Sequence, residues 1–291
     1  MKLKFWGTRG SIPVPGKDTL KYGGNTPCVE IRSNDDKLII LDGGSGIREL
    51  GNYLISNQYE DEIKILISHY HWDHIQGIPF FKPLYQAESR LKFYGLTINN
   101  MNIKDYLHLQ MKSNYFPIKM DAVDAKVKYE HMEVNKKYVF DDLVIETYQV
   151  NHSSPTLTYR ITNDGKKIVY MTDNELYSIE NGYDDIMKDE GFIAENQDLI
   201  DFCSGCDYLI HDTMYDEATI RDKAGWGHSS NVALAYFSIL AKIKNVVLFH
   251  YNPEYTDKKI DELHKETQKV LKEQKSDIKC IAAKEGLEIN F

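Results

Sequence analysis

Short apolar stretches bounded by turn-forming residues predict β-strands along the whole chain. In the first half the turns are marked by segments such as Pro13-Val14-Pro15-Gly16 and Tyr22-Gly23-Gly24-Asn25. The predicted strands cover residues 3–5, 28–31, 38–41, 63–67, 143–150, 157–161, 168–171, 208–210 and 246–249. The longest apolar runs fall far short of the roughly twenty residues that a membrane helix requires, so we expect no transmembrane segment.

Helical periodicity alternates with these strands. It predicts helices over residues 46–56, 103–111, 231–243 and 257–274. Strands that alternate with helices are typical of the α/β class, and here they predict two packed sheets with helices on their outer faces, a four-layer αββα sandwich. No linker-like stretch divides the chain, so we expect one domain over residues 1–291. The acidic segment 174–195 has no clear periodicity and is either an active-site lid or a solvated surface insertion.

The charge of the chain restricts its partners. Among 291 residues, 35 are basic and 44 are acidic, and the formal net charge is -9. Such a protein repels phosphate backbones at long range, which disfavours extended nucleic acid as a partner. The first residues resemble no secretion signal, and four cysteines fit buried thiols in a reducing compartment. We therefore expect a cytoplasmic protein.

The segment Ser68-His69-Tyr70-His71-Trp72-Asp73-His74 follows an apolar strand and carries four potential metal ligands. On a loop that leaves a strand, His69 and His71 can point one way while Asp73 and His74 point another, so one segment can serve two adjacent metal ions. The alternative is a chance crowding of polar residues on a surface loop, which the regular spacing disfavours.

Three further candidates come from distant parts of the sequence, each just after a predicted strand: His152, Asp173 and His250. Any one alone would more often be a hydrogen-bonded loop residue, but together with the His-rich segment they favour a dinuclear centre. Asp173 is the natural bridge, because a carboxylate offers oxygens to two cations. The expected ligand sets are His69, His71 and His152 for one metal, and Asp73, His74 and His250 for the other.

The sequence resembles the metallo-β-lactamase-fold hydrolases, in particular their ribonuclease Z-like phosphodiesterase branch, over nearly its whole length. The matching segments are Gly7-Thr8-Arg9-Gly10-Ser11, Tyr22-Gly23-Gly24-Asn25-Thr26, Leu41-Asp42-Gly43-Gly44-Ser45-Gly46, the His-rich segment and Lys284-Glu285-Gly286. The resemblance implies two zinc ions, for which manganese, cobalt or iron can substitute at a histidine-rich site. It also implies that Asp42 orients a histidine ligand without binding metal itself.

Oxygen-reducing di-iron relatives share this fold but usually carry Glu where His71 stands. They also carry a flavin domain for which no chain remains here. Redox chemistry is therefore disfavoured.

The segment Gly225-Trp226-Gly227-His228-Ser229-Ser230 resembles the Gly-His-Ser segment of the same branch, where the histidine lies beside the scissile phosphate. A plain helix N-cap would explain the serines but not the histidine. Asp212 stands where that branch has an acidic residue paired with this histidine, so the expected catalytic residues are His228, Asp212 and Asp73. Two cations activate a water molecule and neutralise the phosphodiester, and a protonated His228 assists the leaving alkoxide.

The interval between Gly77 and Asn151 lacks the long Gly/Pro-rich arm with which ribonuclease Z holds tRNA. With the acidic net charge, this predicts a small substrate. Within the branch the chain most resembles cyclic-nucleotide phosphodiesterases, including anti-Pycsar proteins of phages and bacteria. The expected activity is hydrolysis of 3',5'-cyclic mononucleotides, cyclic CMP or UMP among them, to 5'-monophosphates, in signal turnover or in evasion of anti-phage defence. The alternatives are a tRNA 3'-processing endonuclease and a non-catalytic metal protein that sequesters a nucleotide.

Further expectations concern substrate contacts and assembly. Ser153, Ser229, Tyr115 and Phe116 are candidates for substrate binding, as are the aromatic residues between Tyr177 and Phe192, because aromatic faces stack on any base. Relatives in this branch commonly form homodimers, and the resemblance implies the same here. The pair Cys203 and Cys206 is read as two incidental thiols in a turn. No role is assigned to His108, His131 or His264.

Overall fold

The computed structural model describes residues 1–176 and 189–291. The strands in the described residues are β1 (Lys2–Gly7), β2 (Cys28–Arg32), β3 (Leu38–Leu41), β4 (Ile63–Leu66), β5 (Arg90–Gly95), β6 (Lys126–His131), β7 (Lys137–Phe140), β8 (Leu143–Val150), β9 (Thr156–Asn163), β10 (Lys166–Met171), β11 (Tyr208–Asp212), β12 (Asn245–Phe249), β13 (Lys279–Ala282) and β14 (Glu288–Asn290). The α-helices are α1 (Ile47–Ser56), α2 (Trp72–Ile75), α3 (Ile103–Gln110), α4 (Glu190–Cys203), α5 (Glu217–Ile220), α6 (Asn231–Leu240) and α7 (Asp257–Glu273).

The chain divides into two compact units, each built on a seven-stranded sheet. The first unit comprises Met1–Lys136, Phe140–Asp142 and Lys284–Phe291, and the second comprises Lys137–Val139 and Leu143–Ala283. Two sheets with intervening helices confirm the predicted α/β class. The expectation of one domain over residues 1–291 stays a prediction.

The sheet of the first unit has the order β14-β1-β2-β3-β4-β5-β6. Strands β3 to β6 run parallel, whereas β1 pairs antiparallel with both β14 and β2. Strand β3 is apolar and buried along its whole length, as expected for a parallel strand that is covered on both faces. Helix α1 buries Ile47, Leu50 and Leu54, whose spacing places them on one face of the helix. Because β3 and β4 are parallel neighbours, the segments that follow them leave the same edge of the sheet.

The sheet of the second unit has the order β13-β12-β11-β10-β9-β8-β7. Strands β10 to β13 are parallel. Strand β9 pairs antiparallel with both β8 and β10, so β8 runs in the direction of β10. The carboxyl ends of β8, β10, β11 and β12 therefore lie at one edge of this sheet, where polar side chains from different parts of the sequence can meet.

The helices of the second unit follow their sequence patterns. Helix α6 is apolar and almost entirely buried, and the hydroxyl of its N-cap Ser230 accepts a hydrogen bond from Ala233 N–H at 3.1 Å. Helix α7 is amphipathic and buries Ile260, Leu263 and Leu271 on one face. No helix in the described parts of the chain is both long and apolar enough to cross a membrane.

Each predicted strand and helix is present, with boundaries that differ by a few residues. The helix predicted over 231–243 ends at Leu240, and Lys242 adopts a left-handed backbone with φ 53°. The segment 174–195 was predicted to be irregular, which is wrong for its last part because α4 begins at Glu190. The rest of the expected lid, over residues 177–188, lies outside the described residues.

Candidate metal centre

The metal loop (residues 68–74) of the first unit connects β4 with the short helix α2. His69, Asp73 and His74 are buried, whereas His71 is exposed. His69 Nε2 lies 2.9 Å from His71 Nδ1, so these two ring nitrogens converge on the same region. The loop thus concentrates imidazole nitrogens and a carboxylate, which are the donor groups that zinc and similar cations bind.

Asp42 follows β3 and accepts hydrogen bonds from the metal loop. Its backbone is left-handed with φ 60°, a conformation that costs a residue other than glycine about 1–3 kcal/mol. Its carboxylate accepts hydrogen bonds from Ser68 N–H at 2.7 Å and from His74 Nδ1 at 2.7 Å. Because a carboxylate only accepts, His74 carries its proton on Nδ1 and directs the lone pair of Nε2 away from Asp42.

Asp73 receives a hydrogen bond that the sequence did not reveal. The backbone N–H of Ser11 donates to Asp73 Oδ2 at 2.7 Å. The Gly-Thr-Arg-Gly-Ser segment therefore orients a candidate ligand, although sequence reasoning used it only as a mark of the family. The same Oδ2 lies 3.3 Å from His74 Nε2.

In the second unit, Asp173 follows β10 and His250 follows β12. Both have left-handed backbones, with φ 46° and 55°. The two carboxylate oxygens of Asp173 face different histidines, since Oδ1 lies 3.1 Å from His250 Nε2 and Oδ2 lies 3.7 Å from His152 Nε2. Thr172 Oγ1 also donates to Asp173 Oδ1 at 2.6 Å. This arrangement is the one expected of a carboxylate that serves two cations.

His152 follows β8 and is oriented by Gly227. Its Nδ1 donates to the Gly227 carbonyl oxygen at 2.9 Å, which leaves the Nε2 lone pair for another partner. Gly227 has φ 79°, and a Cβ at this position would lie 2.2 Å from His152 Nδ1. Only glycine provides both the backbone conformation and the space.

The proton positions allow a test of whether these residues fit metal ions. If both imidazoles are neutral, His74 Nε2 and Asp73 Oδ2, and likewise His152 Nε2 and Asp173 Oδ2, face each other as acceptors across 3.3 and 3.7 Å. Two buried acceptors that face each other are unfavourable unless a cation lies near them. Each unit therefore presents donor pairs that fit divalent cations.

His228 and Asp212 form the other polar pair of the second unit. His228 Nδ1 lies 2.5 Å from Asp212 Oδ2, and the fully buried Asp212 also accepts the Met214 N–H at 2.9 Å through Oδ1. The His228 ring stacks on the His250 ring with centroids 5.4 Å apart. One donor atom each from Asp173, Asp212, His228 and His250 lies within 4.8 Å of the others. The structure thus places the proposed proton donor beside two candidate ligands.

Two buried polar side chains, His211 and Tyr215, lie next to this pair. Burial lowers the pKa of His211, whose Nδ1 donates to the Asp212 carbonyl at 2.7 Å and whose Nε2 accepts from Asn174 Nδ2 at 3.2 Å. Burial also raises the pKa of Tyr215 to about 12, and its ring lies 5.9 Å from that of His228. Both residues stay uncharged near neutral pH. Neither residue was predicted from the sequence, because each resembles an ordinary core residue.

The candidate substrate contacts have varied surroundings. The Ser229 hydroxyl is buried, donates to the Asn174 carbonyl at 2.6 Å and accepts the Leu176 N–H at 3.0 Å, so it joins two loops. Tyr115 is exposed, and Phe116 packs edge-on against Phe80 with centroids 5.4 Å apart. Ser153 is exposed as well. A substrate role for Ser153, Ser229, Tyr115 and Phe116 stays a prediction.

The aromatic residues proposed between Tyr177 and Phe192 divide into two groups. Tyr177 and Tyr183 lie outside the described residues. Phe192 is 2% exposed within α4, so its ring packs in the core and is not presented to a base.

Proteins of known sequence resemble the chain over most of its length. A ribonuclease Z of Picrophilus torridus is 27% identical over 293 residues, which cover 88% of this chain and 87% of the relative. A ribonuclease Z of Nitrosopumilus maritimus is 23% identical over 291 residues, with coverage of 88% and 91%.

Solved structures share the fold. YhfI from Bacillus subtilis superposes with a TM-score of 0.69 at 18% identity over 99% of both chains. Zn(2+)-bound PqqB from Methylobacterium extorquens has a TM-score of 0.66 at 15% identity over 100% of both chains. A diphosphatase from the PhnP family has a TM-score of 0.65 at 19% identity, covering 100% of this chain and 97% of that one. The predicted metallo-β-lactamase fold is thereby confirmed.

The family model of the β-lactamase superfamily domain matches residues 39–251, which include the metal loop, Asp42 and all the candidate ligands of the second unit. The ribonuclease Z relatives and the fold shared with the PhnP-family diphosphatase agree with this match. The chain therefore belongs to the β-lactamase superfamily, and the relatives of known sequence that it resembles are ribonucleases Z.

Proposed function

We propose that this phosphodiesterase hydrolyses 3',5'-cyclic mononucleotides to 5'-monophosphates with the help of two zinc ions. The observation that carries the proposal is the pair His228 and Asp212, which lies beside Asp173 and His250 in the second unit. Ligand-type residues alone would bind metal, whereas an additional histidine held by a buried carboxylate supplies an acid for the leaving group.

The two units each contribute part of the proposed ligand set. The first unit contributes four side chains from one loop, and the second contributes three from the ends of three strands. We infer from the spacing of these residues in the sequence that the chain binds two cations, in the sets His69, His71 and His152, and Asp73, His74 and His250, with Asp173 shared. When bound, such a pair of cations activates water and neutralises charge on the phosphodiester. The histidine-rich donors favour zinc, with manganese, cobalt or iron as substitutes, and the Zn(2+)-bound state of the similar PqqB supports this choice.

The protein's own contribution to bond cleavage centres on His228. Asp212 holds the Nδ1 proton of His228, so the second proton of the imidazolium resides on Nε2. Nε2 donates that proton to O3' as the bond between phosphorus and O3' breaks. The oxygen of a water molecule becomes attached to phosphorus, the water releases one proton to solvent, and His228 takes up a proton from solvent before the next turnover. The products are a 5'-monophosphate and a free 3'-hydroxyl. The buried Asp212 carboxylate stabilises the imidazolium before transfer.

Two observations support a small substrate. All residues between Gly77 and Asn151 are described, and they form turns, short helices and strands, among which the longest irregular stretch covers only residues 111–119. The net charge of -9 opposes the approach of a long polyanion. A small, singly charged diester is affected far less, because nearby cations dominate the local field.

Precursor tRNA is the second candidate substrate. The ribonuclease Z relatives, which align with 88% of this chain, favour it directly. The full set of ligand-type residues together with His228 counts against the third alternative, a non-catalytic protein that sequesters a nucleotide. A homodimer and a cytoplasmic location remain part of our proposal, the latter because the four cysteines are free thiols that suit a reducing compartment.

A substrate panel tests the proposal. Zinc-loaded and chelated protein would be incubated with cyclic CMP, UMP, AMP and GMP and with a precursor tRNA, and the products would be separated by chromatography. We expect at least one cyclic nucleotide to yield its 5'-monophosphate in a zinc-dependent reaction, with no cleavage of the tRNA. If the tRNA is cut at its 3' side while all four cyclic nucleotides persist, the endonuclease replaces our proposal.

A further inference from the structure

We propose that Glu175 is a positioning residue that fixes the catalytic loop (residues 225–228), an inference that rests on the proposed function. Glu175 Oε1 accepts the Gly225 N–H at 2.8 Å, and Glu175 Oε2 accepts the Gly227 N–H at 2.8 Å. One carboxylate thus binds the backbone on both sides of Trp226. Neither the sequence motifs nor the assigned ligands include this residue.

The loop requires such a clamp because of its backbone. Gly225 and Gly227 both have left-handed φ values, 81° and 79°, and glycine loses more conformational freedom on ordering than any other residue. A charged acceptor forms hydrogen bonds about twice as strong as neutral ones. Two such bonds at alternate backbone N–H groups restrict the loop to one conformation.

The clamped loop controls two side chains of the site. The Gly227 carbonyl accepts the Nδ1 proton of His152 at 2.9 Å, and the next residue, His228, faces Asp212 at 2.5 Å. A shift of this loop would therefore misplace the proton donor. It would also weaken the orientation of the His152 ring, an effect that saturating zinc offsets. A misplacement of about 1 Å is enough to lower turnover about 100-fold.

Glu175 is itself anchored beside the site. Its backbone N–H donates to the Asn151 carbonyl at 2.8 Å, and its carbonyl accepts from Asn151 Nδ2 at 3.1 Å. Asn151 directly precedes His152. Hydrogen bonds therefore link three segments: the end of β8, the segment after β10 and the catalytic loop. Glu175 makes the bonds to the other two segments.

Glu175→Gln is the direct test. The variant keeps the size of the side chain but replaces one carboxylate oxygen with an NH2 group. This NH2 group cannot accept the hydrogen bond from the backbone N–H that it faces. We expect kcat on the cyclic nucleotide to fall about 10- to 100-fold with a change in KM below about 3-fold, at saturating zinc. With bis-p-nitrophenyl phosphate, whose leaving group needs no acid, the loss should stay below about 3-fold. Equal losses on both substrates would overturn the inference.

A double-mutant cycle separates positioning from a general loss of stability. If Glu175 acts through His228, Glu175→Gln changes kcat by less than about 3-fold in a His228→Ala background. Additive losses in the double variant would contradict this role. Glu175→Asp retains both acceptor oxygens on a shorter side chain, so its kcat should lie between those of the wild type and Glu175→Gln, and a value below that of Glu175→Gln would also contradict it.

Glu254→Gln is the matched control, because Glu254 is exposed and lies in a turn remote in sequence from the loop. It should leave kcat unchanged, and thermal unfolding of all variants reports their folding. If wild-type protein hydrolyses no cyclic nucleotide, the proposed function fails. If it does so but Glu175→Gln matches Glu254→Gln in kcat, only the role of Glu175 fails.

Discussion

Three histidines make the same kind of hydrogen bond, in which Nδ1 donates its proton to an oxygen atom. The acceptor is Asp42 for His74, the Gly227 carbonyl for His152, and Asp212 for His228. In each case the tautomer is set by the fold, and Nε2 is the nitrogen available for chemistry. The difference between a ligand and a proton donor then lies in what surrounds Nε2.

His228→Ala should lower turnover of a cyclic nucleotide by roughly two to four orders of magnitude, because it removes the acid for the leaving alkoxide. The zinc content should stay that of the wild type, since His228 is outside the proposed ligand sets. Steady-state kinetics and elemental analysis check both points. His131→Ala is the control, because His131 is exposed and has no assigned role. An equal loss with bis-p-nitrophenyl phosphate would show that His228 is not the leaving-group acid.

Gly227→Ala and Gly225→Ala make a matched pair. Both positions have left-handed backbones, so each alanine costs about 1–2 kcal/mol of stability. A Cβ at Gly227 would also lie 2.2 Å from His152 Nδ1, whereas nothing lies within 4 Å of one at Gly225. We expect Gly227→Ala to weaken zinc binding about 10- to 100-fold and Gly225→Ala to leave it nearly unchanged, as measured by competition with a chromogenic chelator. Similar zinc affinities in the two variants would contradict the proposed role of the His152 ring.

Residue types and spacing were enough to predict the candidate ligands, because metal binding demands particular side chains at particular intervals. The supporting contacts were not predictable in the same way. The Ser11 N–H that binds Asp73 and the two glycine N–H groups that bind Glu175 are backbone donors, which any residue possesses. Their partners in space depend on the fold, so no sequence pattern marks them.

The elements of both sheets place the polar residues at strand ends. Asp42, Asp173 and His250 each follow a parallel strand and each adopt a left-handed backbone. Strands rich in apolar residues, such as β3 and β12, were predicted well because their burial leaves a continuous apolar run. Strand β6 was missed because its residues are half-buried or exposed and four of the six are charged or histidine.

Helix α4 shows why composition misled the prediction for segment 174–195. The acidic residues suggested an irregular loop, yet Phe192, Asn196, Leu199 and Cys203 are buried at helical spacing. The pattern continues beyond residue 195, where the predicted segment ended. The Asp189 side chain caps the helix by accepting the Phe192 N–H at 3.0 Å.

Two thiols, Cys206 after α4 and Cys280 in β13, lead to a prediction about pH. Burial raises the pKa of Cys206 and of Cys280 to about 12, from an ordinary value near 9. A thiol whose pKa is raised by folding favours the folded state below pH 9, and this contribution is lost as the pH rises through 12. The free energy of unfolding should therefore decrease above pH 9. At pH 8 the native thiols should react with Ellman's reagent far more slowly than those of urea-unfolded protein, and equal rates would contradict the burial.

The whole molecule carries a net charge of -9, so it repels polyanions at long range. The fold class and the family were predictable from sequence because the diagnostic segments extend from Gly7 to Gly286. The substrate was not predictable to the same degree. Metal ligands alone do not select a substrate, because selection depends on loops around the site whose contacts are set by the fold.

A homodimer is the expected assembly, since the resemblance to this branch implies one. The chain has a mass of 33.7 kDa, so light scattering at micromolar concentration should give about twice that value. A mass equal to that of one chain would contradict the expectation.

The central claim is that phosphodiester hydrolysis by this protein depends on two metal ions. Zinc titration of metal-free protein, followed at each point by elemental analysis and by turnover of a phosphodiester, tests it most directly. We predict that turnover rises until about two zinc ions are bound per chain, and that His69→Ala and Asp73→Ala lose metal and turnover together. Full turnover with only one zinc ion bound per chain would contradict the account.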